Sequence, residues 1–71
     1  MDFLGRAETF VRIVDQGSLS AAGRSLGLSL AAVSRQITSL ETELGAALLV
    51  RTARSIQLTE EGRRFHEHAC R

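Results

Sequence analysis

Glycines at positions 17, 27 and 45 divide the larger part of this chain into short segments, and each glycine follows a stretch whose apolar residues recur at helical spacing. A helix turns by about 100° per residue, and glycine ends helices because it adopts the left-handed conformation at little cost. The chain is therefore restricted to brief helices. The segment between Ser18 and Gly27 is well below the length at which an isolated helix persists in water, so it must lean on its neighbours.

In the first segment Phe3, Ala7, Phe10 and Val14 fall on one stripe, flanked by Leu4 and Val11, while Arg6, Arg12 and Gln16 lie away from its centre. Ser18 offers an N-cap oxygen to the second segment, in which Leu19, Ala22, Gly23 and Leu26 share a face. Gly23 inside a helix costs about 1 kcal/mol against alanine, which makes sense if a side chain there would push the next helix away. Leu28 reads as a buried connector and Ser29 as the next N-cap. Val33, Ile37, Leu40 and Leu44 then follow one another along a third helix, about residues 30–44, which Gly45 closes. Two helices joined by a short turn containing glycine are the helix-turn-helix arrangement.

Beyond Gly45 the pattern changes. Residues 48–52 and 56–59 are short and rich in branched side chains, as strands are, and Ala53-Arg54-Ser55 separates them. Thr59 followed by Glu60 and Glu61 is an N-cap followed by acids in the positive first turn, predicting a fourth helix that carries Phe65 and Ala69. Phe65 is expected to stand exposed there. The sum is an all-α (mainly α) winged helix-turn-helix: a three-helix core, a two-stranded wing and a C-terminal linker helix. Residues 1–58 form the folded head and residues 59–71 the start of the linker helix.

A length of 71 residues allows one domain, which buries only about 60–65% of the surface its unfolded chain exposes. An apolar content of 44% still permits a core. No room remains for a cleft with separately positioned catalytic groups, and neither a nucleophile–base pair nor a phosphate-binding glycine loop is present, so an enzyme is not expected. The longest apolar run, residues 46–50, cannot span a bilayer. The opening Met1-Asp2-Phe3 lacks the basic-then-apolar order of a signal peptide, which predicts a cytoplasmic protein. A single cysteine, Cys70, agrees with a reducing compartment.

The net charge of +1 is unevenly placed: residues 1–20 sum to −1, residues 21–54 to +2 and residues 55–71 to zero. All 9 basic residues are arginine, which bonds phosphates and guanine edges through two parallel N–H groups, as lysine cannot. So weak a net charge predicts modest non-specific binding to a polyanion.

The third helix carries the chemistry. With Val33 pointing inward, Ile37, Leu40 and Leu44 lie within about 40° of it, whereas Ala31, Arg35, Thr38 and Thr42 lie about 140–200° away and Ser34 near 100°. The outward face is small and polar, with one arginine and no acid in its first two turns. Such a face lets a helix backbone approach base edges in a major groove. Arg35 reaches a guanine edge or a phosphate, Ser34 and Thr38 bond to either, and Thr or Ala methyls pack on thymine methyls. The amides at the helix start favour a phosphate near Ser29. Arg54, at the wing tip, is expected against the backbone or minor groove.

The stretches Gly17-Ser18-Leu19-Ser20-Ala21-Ala22, Val33-Ser34-Arg35-Gln36-Ile37, Leu40-Glu41-Thr42-Glu43-Leu44-Gly45, Leu48-Leu49-Val50-Arg51-Thr52 and Leu58-Thr59-Glu60-Glu61-Gly62 resemble the LysR-type transcriptional regulators, in the family's order and spacing. The resemblance implies the N-terminal DNA-binding domain of a bacterial regulator, with double-stranded DNA contacts at Ser18, Ser29, Leu30, Ala31, Ser34, Arg35, Thr38, Arg51 and Arg54. It implies a dyad-symmetric promoter site, a homodimer or tetramer paired through the linker helix, and a larger effector domain controlled by a small-molecule inducer; the domain itself needs no cofactor. The chain departs from the family at Leu30 and Ala31, where relatives often carry Gln-Pro, so base preference there does not carry over. Leu30 either packs on a thymine methyl or folds back on the core. At His66 relatives often carry tyrosine, a change expected to affect packing alone.

Two other functions compete with this one. A winged domain that binds protein instead of DNA is disfavoured by Arg35 and Arg54 on one exposed side. A metal site would have to use His66, His68 and Cys70; His66 and Cys70 share a helix face but His68 points elsewhere, and two ligands do not make a zinc site.

Overall fold

The computed structural model describes residues 3–51 and 56–69. The two serine–glycine pairs bracket the two middle helices as their local chemistry requires. Helix α2 (Leu19–Leu26) begins where Ser18 Oγ accepts the Ala21 N–H at 3.0 Å, and α3 (Leu30–Leu44) begins where Ser29 Oγ accepts the Ala32 N–H at 3.1 Å. They end at Gly27 and Gly45, whose φ values of 73° and 71° are left-handed. The turn after α2 is tied back by the Leu28 N–H on the Gly23 carbonyl at 2.8 Å.

Gly23 is indeed a site of close approach, but the nearest obstacle is the turn. A Cβ at residue 23 would lie 2.8 Å from the Leu28 carbonyl oxygen and 3.4 Å from Val33 Cγ2. The first of these is backbone and cannot swing away. The helix-turn-helix angle thus depends on the missing side chain.

Helix α1 (Phe3–Gln16) runs through the middle of the molecule and touches α2, α3 and α4 (Glu60–Ala69). Phe10, Ile13, Ala22, Val33, Ile37, Leu40, Leu48 and Leu49 form the buried core. The inward stripe of α1 differs from the one its spacing predicts: Ala7, Thr9, Phe10 and Ile13 are buried, Val14 is half-buried, and Phe3 is exposed. A helix covered on several sides buries a broader arc than a single stripe suggests. Leu44, expected inward, is 39% exposed; α3 has run past the core by then, and Leu48 and Leu49 fill its last layer.

Strands β1 (Leu49–Arg51) and β2 (Ile56–Leu58) pair antiparallel, with Leu49 opposite Leu58, Val50 opposite Gln57 and Arg51 opposite Ile56. Leu48 and Thr59, expected in the strands, lie outside them because their groups are used elsewhere. Leu48 gives its N–H to Glu41 Oε2 at 2.7 Å, and its carbonyl accepts the Thr59 N–H at 3.0 Å. Thr59 Oγ1 donates to the Ala47 carbonyl at 2.6 Å and accepts the Gly62 N–H at 2.9 Å, which makes Thr59 the N-cap of α4. The turn at Ala53-Arg54-Ser55, with Thr52, lies outside the described residues.

Phe65 does not stand uncovered. Its ring meets Phe10 edge-on at 5.5 Å between centroids and Phe3 at 6.1 Å, and the residue is half-buried. Edge-to-face pairs of this kind add about 0.5–1.5 kcal/mol to the area they bury. His66 beside it meets the Phe10 ring at 6.3 Å and places Nε2 3.4 Å from Asp15 Oδ1. The first turns of α4 are therefore fastened to α1.

Candidate nucleic-acid interface

The two faces of α3 separate cleanly. Val33, Ile37 and Leu40 are completely buried, while Leu30, Ala31, Arg35, Thr38 and Thr42 are exposed and Ser34 is half-buried. This division follows the helical spacing of the apolar residues. It brings Leu30, Ala31, Ser34, Arg35 and Thr38 together on one surface. Leu30 is 53% exposed, so it does not fold back on the core.

Arg35 differs from three of the other described arginines. Arg6 pairs with Glu43, Arg12 donates to Ser25 Oγ at 2.8 Å, and Arg64 pairs with Glu60 at 3.1 Å. Among the described residues Arg35 has neither an ion-pair nor a hydrogen-bond partner. Its neighbours Ala32, Gln36, Ser39 and Arg6 line a shallow depression beside it. A guanidinium left unpaired on an otherwise small, polar face is available to an anion or a base edge. Thr42, by contrast, turns its hydroxyl onto the Thr38 carbonyl at 2.9 Å, within its own helix.

The remaining site residues of the sequence reading fall in three places. Ser29 caps α3 and leaves the amides of the first turn directed out of the helix end, where they favour an anion. Ser18 sits half-buried at the start of α2 with its hydroxyl accepting from Ala21. The backbone of Arg51 lies in β1 opposite Ile56, and Arg54 is outside the described residues.

The side chains that hold this surface in place were not found by periodicity. Thr9, 2% exposed, directs Oγ1 at two acceptors, Gln36 Oε1 at 2.7 Å and the Gly5 carbonyl oxygen at 3.0 Å. The single hydroxyl proton is shared between these two oxygens, the shorter contact being the one to Gln36. This joins α1 to the middle of α3. The Arg6–Glu43 pair joins the same helices further along. At the far end Glu41 Oε2 accepts from both Leu48 N, at 2.7 Å, and Leu49 N, at 3.2 Å, and so ties α3 to the start of the wing. A polar residue one position from a buried one is the only sequence signal for Gln36 and Glu41.

Among the described residues no group of three His, Cys, Asp or Glu side chains is placed to hold a metal ion, and no helix is long and apolar enough to cross a membrane. Cys70 lies outside the described residues.

Residues 4–63 match the family model described as bacterial regulatory helix-turn-helix protein, lysR family. An HTH-type transcriptional regulator of Xanthomonas campestris pv. campestris (strain 8004) is 56% identical over 62 residues, which are 87% of this chain and 18% of that protein. The HTH-type transcriptional activator AaeR of Escherichia coli (strain K12) is 42% identical over 71 residues, all of this chain and 23% of that protein. The chain thus spans about a fifth of the length of such relatives. Among solved structures, a complex of BenM_DBD with catB site 1 DNA superposes with a TM-score of 0.91 at 37% identity, covering 99% of this chain and 78% of that one. The CbnR_DBD–DNA complex superposes with a TM-score of 0.91 at 36% identity, covering 99% and 79%.

Proposed function

The chain belongs to the lysR family of bacterial regulatory helix-turn-helix proteins, and from that premise we propose that it binds double-stranded DNA in a sequence-specific manner, with α3 in the major groove. One observation carries the reading: the face of α3 opposite Val33, Ile37 and Leu40 is exposed and holds Arg35 without a protein partner among the described residues. The solved relatives BenM_DBD and CbnR_DBD, to which the chain is similar over nearly its whole length, are complexes with DNA.

In this reading Arg35 bonds a guanine edge or a phosphate, and Ser34 and Thr38 bond bases or backbone. The amides behind Ser29 and Ser18 take phosphates, Ala31 allows close approach, and Arg51 and Arg54 bring the wing to the backbone or minor groove. Residues 1–58 are the reading head and residues 59–71 begin a linker helix that pairs subunits as a homodimer or tetramer on a dyad-symmetric promoter site. A small-molecule inducer acts through an effector domain, in the cytoplasm, and no catalysis is involved.

The test is a titration of fluorescent duplex DNA at several salt concentrations. The reading requires affinity that falls as salt rises, because each phosphate contact releases counterions. Absence of binding at low salt refutes it.

A further inference from the structure

The face of α3 holds one side chain that neither donates nor accepts a hydrogen bond yet is too large to serve only as clearance. Leu30 is the first residue of the helix, directly after the cap, and is 53% exposed. It lies outside the core cluster and outside the apolar groups packed against that cluster. By helical spacing Leu30, Ser34, Thr38, Ala31 and Arg35 occupy an arc of about 140°. The isobutyl group of Leu30 stands at one edge of that arc and the Arg35 guanidinium, unpaired among the described residues, at the other, with Ser34, Thr38 and Ala31 between them.

Helix-turn-helix proteins reach base edges chiefly with the N-terminal residues of the recognition helix. The major groove displays donors and acceptors at every base pair, but it offers one apolar group, the C5 methyl of thymine. A leucine packed against a guanine or adenine edge would remove water from polar atoms without replacing their hydrogen bonds. Against a thymine methyl it buries apolar surface on both sides.

Resting on the DNA-binding reading above, we propose that Leu30 is a specificity-determining residue that reads the C5 methyl of a thymine. The preferred site of this chain contains a thymine opposite the start of α3, chosen for its methyl group and not for its hydrogen-bonding edge. Arg35, five residues further on and at the other edge of the arc, then reads a separate polar position.

The experiment begins with duplexes selected from a random pool by this chain at low salt. In the tightest duplex each thymine is replaced singly by deoxyuridine, which removes the methyl and keeps the pairing, and Kd is measured for the unmodified chain and for Leu30→Ala. One replacement is expected to weaken binding by about fourfold, the effect of burying one methyl group. The same replacement should have no effect on Leu30→Ala, whose thermal melting should match the parent because residue 30 lies outside the core. If no thymine replacement changes Kd, or if the loss is equal in Leu30→Ala, the methyl assignment falls while DNA binding stands. If no duplex is selected at all, the DNA-binding reading falls and takes this assignment with it.

Discussion

Gly62 lies so close over the carbonyl of Leu48 that a Cβ at residue 62 would sit 2.0 Å from that oxygen. The same oxygen accepts the Thr59 N–H, so it cannot retreat without breaking the first contact of α4 with the core. In an exposed helix Gly→Ala stabilises by about 1 kcal/mol. Here the sign reverses: Gly62→Ala should destabilise by about 3 kcal/mol, the upper part of the range for overpacking. Urea unfolding measures it, and equal or higher stability would contradict the close approach.

Glu41 holds two wing amides through one carboxylate oxygen. Glu41→Ala leaves both part-buried N–H groups without their acceptor and should cost about 1–3 kcal/mol. Glu41→Gln keeps an acceptor oxygen and should recover a large share of that loss. Amide hydrogen exchange adds a local readout: Leu48 and Leu49 should exchange faster in Glu41→Ala, and unchanged rates would count against the assignment.

Thr9 and Gln36 form the link between α1 and the middle of α3. Thr9→Val keeps the shape and removes the hydroxyl, and Gln36→Met removes the amide. Each should destabilise by about 1 kcal/mol, and the double variant should lose less than the sum, with a coupling of about 0.5–1.5 kcal/mol. Strict additivity of the unfolding energies would show that the two groups do not interact.

Arg35→Ala should leave folding intact, since the side chain is exposed and lacks a protein partner among the described residues. On a duplex selected by the parent chain it should weaken binding by about 1–3 kcal/mol. Unchanged affinity would move the reading surface elsewhere.

Ser18 needs a variant that separates its two possible uses. Its hydroxyl caps α2, and glycine replaces serine at an N-cap at a cost of only a few tenths of a kcal/mol, roughly. Ser18→Gly should therefore melt almost like the parent. A loss of DNA affinity beyond that small change marks a contact at residue 18, and none would confine Ser18 to capping.

The helix order and the reading face were legible because they depend on local rules. Ser18, Ser29 and Thr59 act on amides three residues ahead, and the burial of Val33, Ile37 and Leu40 follows from helix geometry alone. What escaped depends on distant partners. Ile13 is buried because α1 is surrounded, Phe65 is covered because two other phenylalanines lie across from it, and Leu48 leaves the strand because Glu41 and Thr59 claim its backbone. The tight seat of Gly62 is invisible to local spacing for the same reason: its obstacle is a carbonyl fourteen positions earlier in the chain.

The peptide groups of Leu48 work like a pinned joint. One side is held from the third helix by Glu41, the other from the start of the fourth by Thr59, with Gly62 seated directly on it. A joint fixed at both ends has no slack, so torque applied to the fourth helix cannot be dissipated in a loose connector. It either breaks the Thr59–Leu48 bond or carries the foot of the wing with it, and through Glu41 the far end of the third helix. The angle at which the fourth helix leaves the molecule is thereby geared to the bearing of the third.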